Sequence, residues 1–184
     1  MTRIRRETRE TRVTVSMKRG NGPSQVTMDD QFLVHMVETL ARYAGLEIRM
    51  EAAGDLRHHL VEDVAITLGT ALADLIPERA HRYGSAILPM DEALVMAAVD
   101  VGGRPYYVGR LPSVLYEHFL QSLAMHLKAT LHVKVLRGRD RHHIVEAAVK
   151  ATGLALREAM KDGNGEEVFS TKGSVQLSRL PERG

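Results

Sequence analysis

His58-His59-Leu60-Val61-Glu62 recurs 84 residues on, from 58 to 142, as His142-His143-Ile144-Val145-Glu146. On a helix, His58 and Glu62 stand four residues apart and nearly in line, as do His142 and Glu146. The second histidine of each pair points about 100 degrees round the helix from the first, so one cation does not readily take both. Either the two imidazoles serve different metals, or one ligates while the other packs or contacts a substrate. With His35 and His132 on neighbouring elements, the chain carries enough donors for two four-ligand sites with positions left open. Neutral nitrogen mixed with hard oxygen suits Mn²⁺, Fe²⁺, Co²⁺, Ni²⁺ or Zn²⁺ and poorly matches a calcium cage. The competing reading is a structural cap repeated at two helix starts. His81, His118 and His126 lack the repeat and read as surface or satisfied core residues.

The elements that must hold these donors are also repeated. Gly69, Ala71 and Leu72 return as Gly153, Ala155 and Leu156 at the same separation, so a whole helical unit is copied. Phe32, Leu33, Leu40 and Ile48 are echoed by Phe119, Leu120, Leu127 and Val135 at a separation of 87, three more than that of the helix repeat. Val13, Val15 and Met17 alternate in a strand over 11–19, and Asp29 or Asp30 caps a helix over about 30–43 that Gly45 ends. Leu46, Ile48 and Met50 alternate as a strand; Gly54-Asp55 turns the chain into a helix that Pro77 stops. The second half repeats the order: a strand over 95–100, a strand over 104–108, a helix over about 113–129, a strand over 131–135 and a closing helix from His142. The pattern predicts an α+β chain of two tandem halves, 1–93 and 94–184, each a sheet covered by helices on one face.

Composition narrows the chemistry. There is no cysteine among 184 residues, which removes thiolate catalysis, iron–sulfur clusters and cysteine zinc sites. A 44% apolar content supports a buried core without disulfides. The sequence shows neither a membrane span nor a signal peptide, and a soluble, cytoplasmic protein is expected. The first 20 residues are basic, with Arg3, Arg5, Arg6, Arg9, Arg12, Lys18 and Arg19, but Glu7 and Glu10 interrupt them and no aromatic residues interleave, which argues against nucleic acid.

In order along the chain stand Arg9-Glu10-Thr11, Phe32-Leu33-Val34-His35-Met36, His58-His59-Leu60-Val61-Glu62-Asp63, Arg82-Tyr83-Gly84 and Pro89-Met90-Asp91-Glu92-Ala93-Leu94. Gly103-Arg104-Pro105-Tyr106, Leu131-His132, His142-His143-Ile144-Val145-Glu146-Ala147 with Lys150, and Ser170-Thr171-Lys172-Gly173 follow. Over nearly its full length the chain resembles the imidazoleglycerol-phosphate dehydratases. The resemblance implies a duplicated fold with a roughly four-stranded mixed sheet and two helices per unit, of the ribosomal protein S5 domain 2-like kind. It further implies two Mn²⁺ per active site and trimers assembled into a 24-mer with active sites between subunits. Its ligand positions fall on His35, His58, His59, Glu62, His132, His142, His143 and Glu146. Glu10 matches the acidic residue that moves a proton at the substrate, and Arg82, Arg104, Lys150, Ser170 and Lys172 match substrate or phosphate contacts, the last two in a C-terminal segment.

The reaction so implied is dehydration of imidazole glycerol phosphate to imidazole acetol phosphate in histidine biosynthesis, with Glu10, His35, Glu62 and Glu146 at the chemistry. The sequence departs from the family pattern at Val34, Thr39, Thr27-Met28-Asp29 and Tyr43, and its acidic loop is shortened to end in Leu56-Arg57. Two other readings stand beside this one: a lyase of the same scaffold acting on another azole phosphate, and a noncatalytic assembly protein whose histidines bind metal structurally.

Overall fold

A computed structural model describes residues 1–163. Four strands, β1 (Thr2–Glu7), β2 (Thr11–Arg19), β3 (Gln25–Thr27) and β4 (Leu46–Gly54), form a sheet in the order β1-β2-β4-β3. Only β3 runs parallel to its neighbour. A second sheet, of β5 (Tyr83–Met90), β6 (Ala93–Asp100), β7 (Tyr106–Gly109) and β8 (Thr130–Arg137), has the order β5-β6-β8-β7, with β7 parallel to β8. The helices are α1 (Gln31–Ala44), α2 (Arg57–Ala73), α3 (Val114–Leu127) and α4 (Arg141–Ala159).

Each sheet is apolar on one face, and a helix covers that face: α2 lies on β2 and α4 on β5 and β6. The helices of one half then pack on those of the other, α1 against α4 and α2 against α3. The core is therefore the middle of the molecule, where Val13, Val15, Met17, Ile48, Val95 and Ala97 from the sheets meet Leu33, Leu68, Phe119 and Leu156 from the helices. Gly84 lets β5 close on α4, since a Cβ there would stand 2.0 Å from the Ala155 carbonyl oxygen. No helix among the described residues is long and apolar enough to cross a membrane.

The α+β duplication read from the sequence is present, and several details differ. Leu33, Met36 and Leu40 of α1 take the buried places that Tyr116, Phe119 and Leu123 take in α3, a separation of 83 and not 87. The left-handed C-caps, Gly45 and Lys128, agree with 83. The two values differ by four residues, about one helical turn, so an apolar stripe matches itself equally well one turn out of register. The connection before α4 is one residue longer than that before α2, whereas separations of 87 and then 84 would make it three residues shorter. α2 ends at Ala73, before Pro77, with Leu75 and Ile76 donating to the carbonyls of Leu72 and Ala73 in a tightened last turn.

Strands β1, β3 and β5 escaped the sequence reading. In β1 the inward register includes Arg6, a charge where alternation calls for an apolar residue; Asp63 of α2 answers it at 2.9 Å. Buried Asp63 also accepts from Thr11 Oγ1, so this carboxylate ties α2 to both β1 and β2. In β5 Gly84 and Pro89 hide the strand, which tolerates them at the edge of its sheet.

Candidate metal centre

The start of α4 carries the best-formed constellation. Asp140 caps the helix, accepting from the backbone N–H groups of His142 at 2.7 Å and His143 at 3.4 Å. One turn further, Glu146 is buried, and its Oε2 lies 3.1 Å from His142 Nε2 and 3.4 Å from His35 Nε2. His35 comes from α1, which packs along α4, and the donor atoms of His35, His142 and Glu146 all fall within 4.8 Å of one another. Both imidazoles are about half exposed, so the triad opens outward from a buried carboxylate. Phe32 supports one wall, its ring 5.1 Å from that of His142 and edge-on to Tyr116.

The other oxygen of Glu146 accepts from Lys150 Nζ at 2.8 Å. Burial alone would raise the Glu146 carboxyl, but the Lys150 ammonium and, less strongly, His35 outweigh it and leave the group below its usual value. Burial likewise acts to lower Lys150, and Glu146 more than compensates. Lys150 also stands 5.6 Å from the centre of the Tyr43 ring and 3.5 Å from Met90 Sδ. Tyr43, one of the departures from the family pattern, thus borders the same ammonium. Such a donor set, two neutral nitrogens and a carboxylate kept anionic, fits a divalent transition cation.

The copy on α2 is arranged differently. His58 and His59 stack edge-on with ring centres 4.1 Å apart, and His59 Nδ1 lies 2.8 Å from Asp55 Oδ1 and 3.6 Å from Glu10 Oε2. The Asp55 hydrogen bond raises the His59 pKa against a smaller opposing effect of desolvation. His59 and Glu10, distant in sequence, are therefore neighbours. His58 and Glu62 share a helix face, yet no third donor joins them in a cluster among the described residues. By the register of 83, the counterpart of His35 is His118, exposed on α3, and no metal-capable group of three forms around it either.

The remaining sequence-predicted residues are spread. His143 turns its Nδ1 onto Glu92 at 2.7 Å, a bond that raises its pKa. His132 is exposed on the outer face of the second sheet, opposite Ala98 on β6 and Val108 on β7. Arg82 holds Asp100 through two hydrogen bonds of 2.7 and 3.0 Å. Arg104 is exposed just before β7, with its carbonyl accepting from Thr130 Oγ1. Ser170 and Lys172 lie outside the described residues. Asp55, Glu92 and Asp140 were not singled out from the sequence. The two aspartates had a signal, four and three residues before a histidine, whereas Glu92, although within the Pro89–Leu94 block, is 51 residues from its partner and had no signal of that contact.

A duplicated two-layer scaffold with an imidazole–carboxylate centre at a helix start, in company with its relatives, defines a metal-dependent hydro-lyase. A family model described as imidazoleglycerol-phosphate dehydratase matches residues 29–156. The imidazoleglycerol-phosphate dehydratase of Pyrobaculum calidifontis is 50% identical over 188 residues, covering 94% of this chain and 98% of that protein. That of Pyrococcus furiosus is 45% identical over 181 residues, covering 92% and 99%. Among solved structures, the Pyrococcus furiosus protein in complex with (S)-C348 superposes with a TM-score of 0.84 at 43% identity, covering 94% of this chain and all of that one. The Staphylococcus aureus imidazoleglycerol-phosphate dehydratase gives 0.79 at 30% identity, covering 88% and 98%. The chain belongs to the imidazoleglycerol-phosphate dehydratase family.

Proposed function

We propose that this chain dehydrates imidazole glycerol phosphate to imidazole acetol phosphate in histidine biosynthesis, in the cytoplasm, with two Mn²⁺ in each active site. The observation that carries the reading is the His35–His142–Glu146 triad, set on a chain that belongs to the dehydratase family over nearly its whole length. Bound cations would supply Lewis acidity to the substrate's imidazole ring, making the proton on the adjacent carbon removable. His35, His142 and Glu146 would hold one ion, with His58, His59, Glu62, His132 and His143 supplying the rest of the donors. Glu10, exposed and 3.6 Å from His59, would take or relay the carbon-bound proton as the neighbouring hydroxyl leaves as water. Lys150, Arg82, Arg104, Ser170 and Lys172 would orient the phosphate end and take no part in the elimination.

The incomplete His58–Glu62 pair supports completion of the site by a second copy. The outer face of the second sheet presents Ile87, Met96, Val108, Tyr106 and Leu136, several of them well exposed, around His132, with Lys134 the charge beside it opposite Met96. The outer face of the first sheet carries Arg3, Arg5, Arg12, Lys18, Arg49 and Glu51, with Arg5 at the place of Ile87 and Arg49 at that of His132. We infer that copies associate through the apolar face, as trimers within a 24-mer, and that His132 crosses to a neighbour's site. Elemental analysis paired with turnover of imidazole glycerol phosphate, after chelation and after return of Mn²⁺, tests the whole reading. Loss and recovery of dehydration is the expected result; undiminished dehydration by an ion-free preparation overturns it.

A further inference from the structure

His59 and His143 hold the same place in the two copies, the second histidine of each pair, and each directs Nδ1 at a carboxylate. The carboxylates come from unrelated segments. Asp55 sits in the two-residue connection between β4 and α2, where Oδ1 also accepts from Leu56 N–H at 2.6 Å and the Asp55 N–H donates to the Glu10 carbonyl at 3.0 Å. The repeat puts Arg139, a cation, at the place matching Asp55. Glu92, at the turn of the β5–β6 hairpin, serves the second copy instead, with 2.7 Å between Oε2 and His143 Nδ1.

Glu92 is itself firmly held. Its Oε1 accepts from the backbone N–H groups of Arg139 at 3.0 Å and Asp140 at 2.8 Å, fixing the loop that caps α4. The residue before it, Asp91, has φ of 48°, a left-handed conformation that costs energy outside glycine. That turn aims the Glu92 side chain across the hairpin at α4. Two different solutions therefore deliver the same group to the same ring atom, so the shared requirement lies with the imidazole and not with the local backbone. A carboxylate on Nδ1 keeps the proton there and leaves the Nε2 lone pair outward for a cation. Exposed Asp91 adds negative charge on that side, its Oδ2 lying 3.5 Å from His143 Nε2.

We propose that Asp55 and Glu92 are positioning residues, which fix His59 and His143 in the Nδ1–H tautomer so that each ligates through Nε2. This rests on the metal reading above and adds to it the binding atom and the groups that select it.

The test uses the full chain with Asp55→Ala and Glu92→Ala, and the conservative Asp55→Asn and Glu92→Gln. Manganese affinity is read by electron paramagnetic resonance, and the bound nitrogen by the Raman C4=C5 stretch of the metal-bound imidazole, which separates Nε2 from Nδ1 ligation. Each alanine variant is expected to bind Mn²⁺ about 10- to 100-fold more weakly. The amide variants, whose side-chain oxygen still accepts from Nδ1–H, recover part of that loss. The wild-type Raman band reports Nε2. Should Glu92→Ala fail to fold through loss of its loop contacts, Glu92→Gln and both Asp55 variants still decide the matter. Unchanged manganese affinity in the alanine variants, or ligation through Nδ1, overturns the proposal while leaving the dehydratase reading intact. A wild-type protein that binds no Mn²⁺ overturns both.

Discussion

Lys150→Met separates the counter-charge of Glu146 from the metal donors around it. In the structure, Glu146 is only 8% exposed and its partner Lys150 only 18%, at 2.8 Å. Removing one member of a buried pair costs about 3 to 5 kcal/mol. Here Glu146 retains His35 and His142 nearby, so a loss of about 2 to 3 kcal/mol is expected for the metal-free protein, the size of a charged hydrogen bond. For a domain of this length that lowers Tm by about 5 to 10 °C. A divalent cation on Oε2 should then stand in for the missing ammonium: at a free concentration of about 100 Kd it restores about 2.7 kcal/mol. Glu146→Gln also loses the ion pair but has no anion left to bind the metal, and should bind Mn²⁺ at least tenfold more weakly, about 1.4 kcal/mol. The assay is thermal melting at fixed protein concentration across a manganese titration, because the proposed assembly would make Tm concentration-dependent. If Lys150→Met loses manganese affinity as severely as Glu146→Gln, Glu146 is not a metal donor balanced by Lys150, and the assignment of the centre falls.

Glu10→Gln should reduce turnover by about a hundredfold or more with metal content unchanged, and equal turnover would remove Glu10 from proton transfer. The pKa values of His59 and His143 are raised above 6.5 chiefly by Asp55 and Glu92, so protons compete for these ligands at a higher pH than for free histidine. Manganese affinity should therefore fall already as pH drops toward about 6.5, and activity and assembly should be lost together below about pH 6. The metal-free fold responds with the opposite sign: raised histidines contribute stability that is complete below their unfolded values and fades as pH rises through the folded ones. Glu92, held at about 2 by the Asp140 and Arg139 N–H groups and His143, sustains its contacts well into acid. Binding isotherms between about pH 5.5 and 7.5 test the first trend, and a flat affinity refutes it. Gly84→Ala should destabilise by about 2 kcal/mol or more, since the new Cβ meets the backbone of α4 at Ala155 and Ala159; an unchanged melting temperature would show that β5 can move away.

The sequence disclosed those parts of the fold where one physical signal dominated. Apolar alternation found β2, β4, β6 and β8, the buried strands, and helical periodicity with Asp30 and Gly45 bounded α1. It missed β1 because Arg6 faces inward, and its partner Asp63 is visible only once α2 is packed. The slip from 83 to 87 has the same origin: helical periodicity reports which face is buried, not which turn. Correcting that register changes the site, since it makes His118 the counterpart of His35 and shows that only one of these two histidines meets a glutamate. The two His-His-x-x-Glu segments were legible from their repeat, whereas His35 and His132 stand outside it. Asp55 and Glu92 were less so, because a group that acts on the far nitrogen of a ligand can come from any segment the fold brings near.

The two halves have kept their backbone plan while diverging where function would require asymmetry. Both have the same strand order and the same helix on the same sheet, so selection for packing acted alike on each. Yet among the described residues the second copy alone gathers a triad, and the second sheet's outer face sets His132 among exposed apolar residues with Lys134 beside it. A self-sufficient monomer would be expected to complete both constellations or neither, and to cover Ile87, Leu136 and Val108 with polar residues as the first sheet does. An unfinished pair at α2 and a histidine that no described residue partners, on a largely apolar face, are complementary deficits. On the proposed association one contact between copies would satisfy both: burying the face would offset the cost of ordering the donors, and His132 would arrive with it. On this argument, a charge placed at Val108 should disperse the assembly and abolish metal binding at the α2 motif, while the His35–His142–Glu146 triad keeps its own ion.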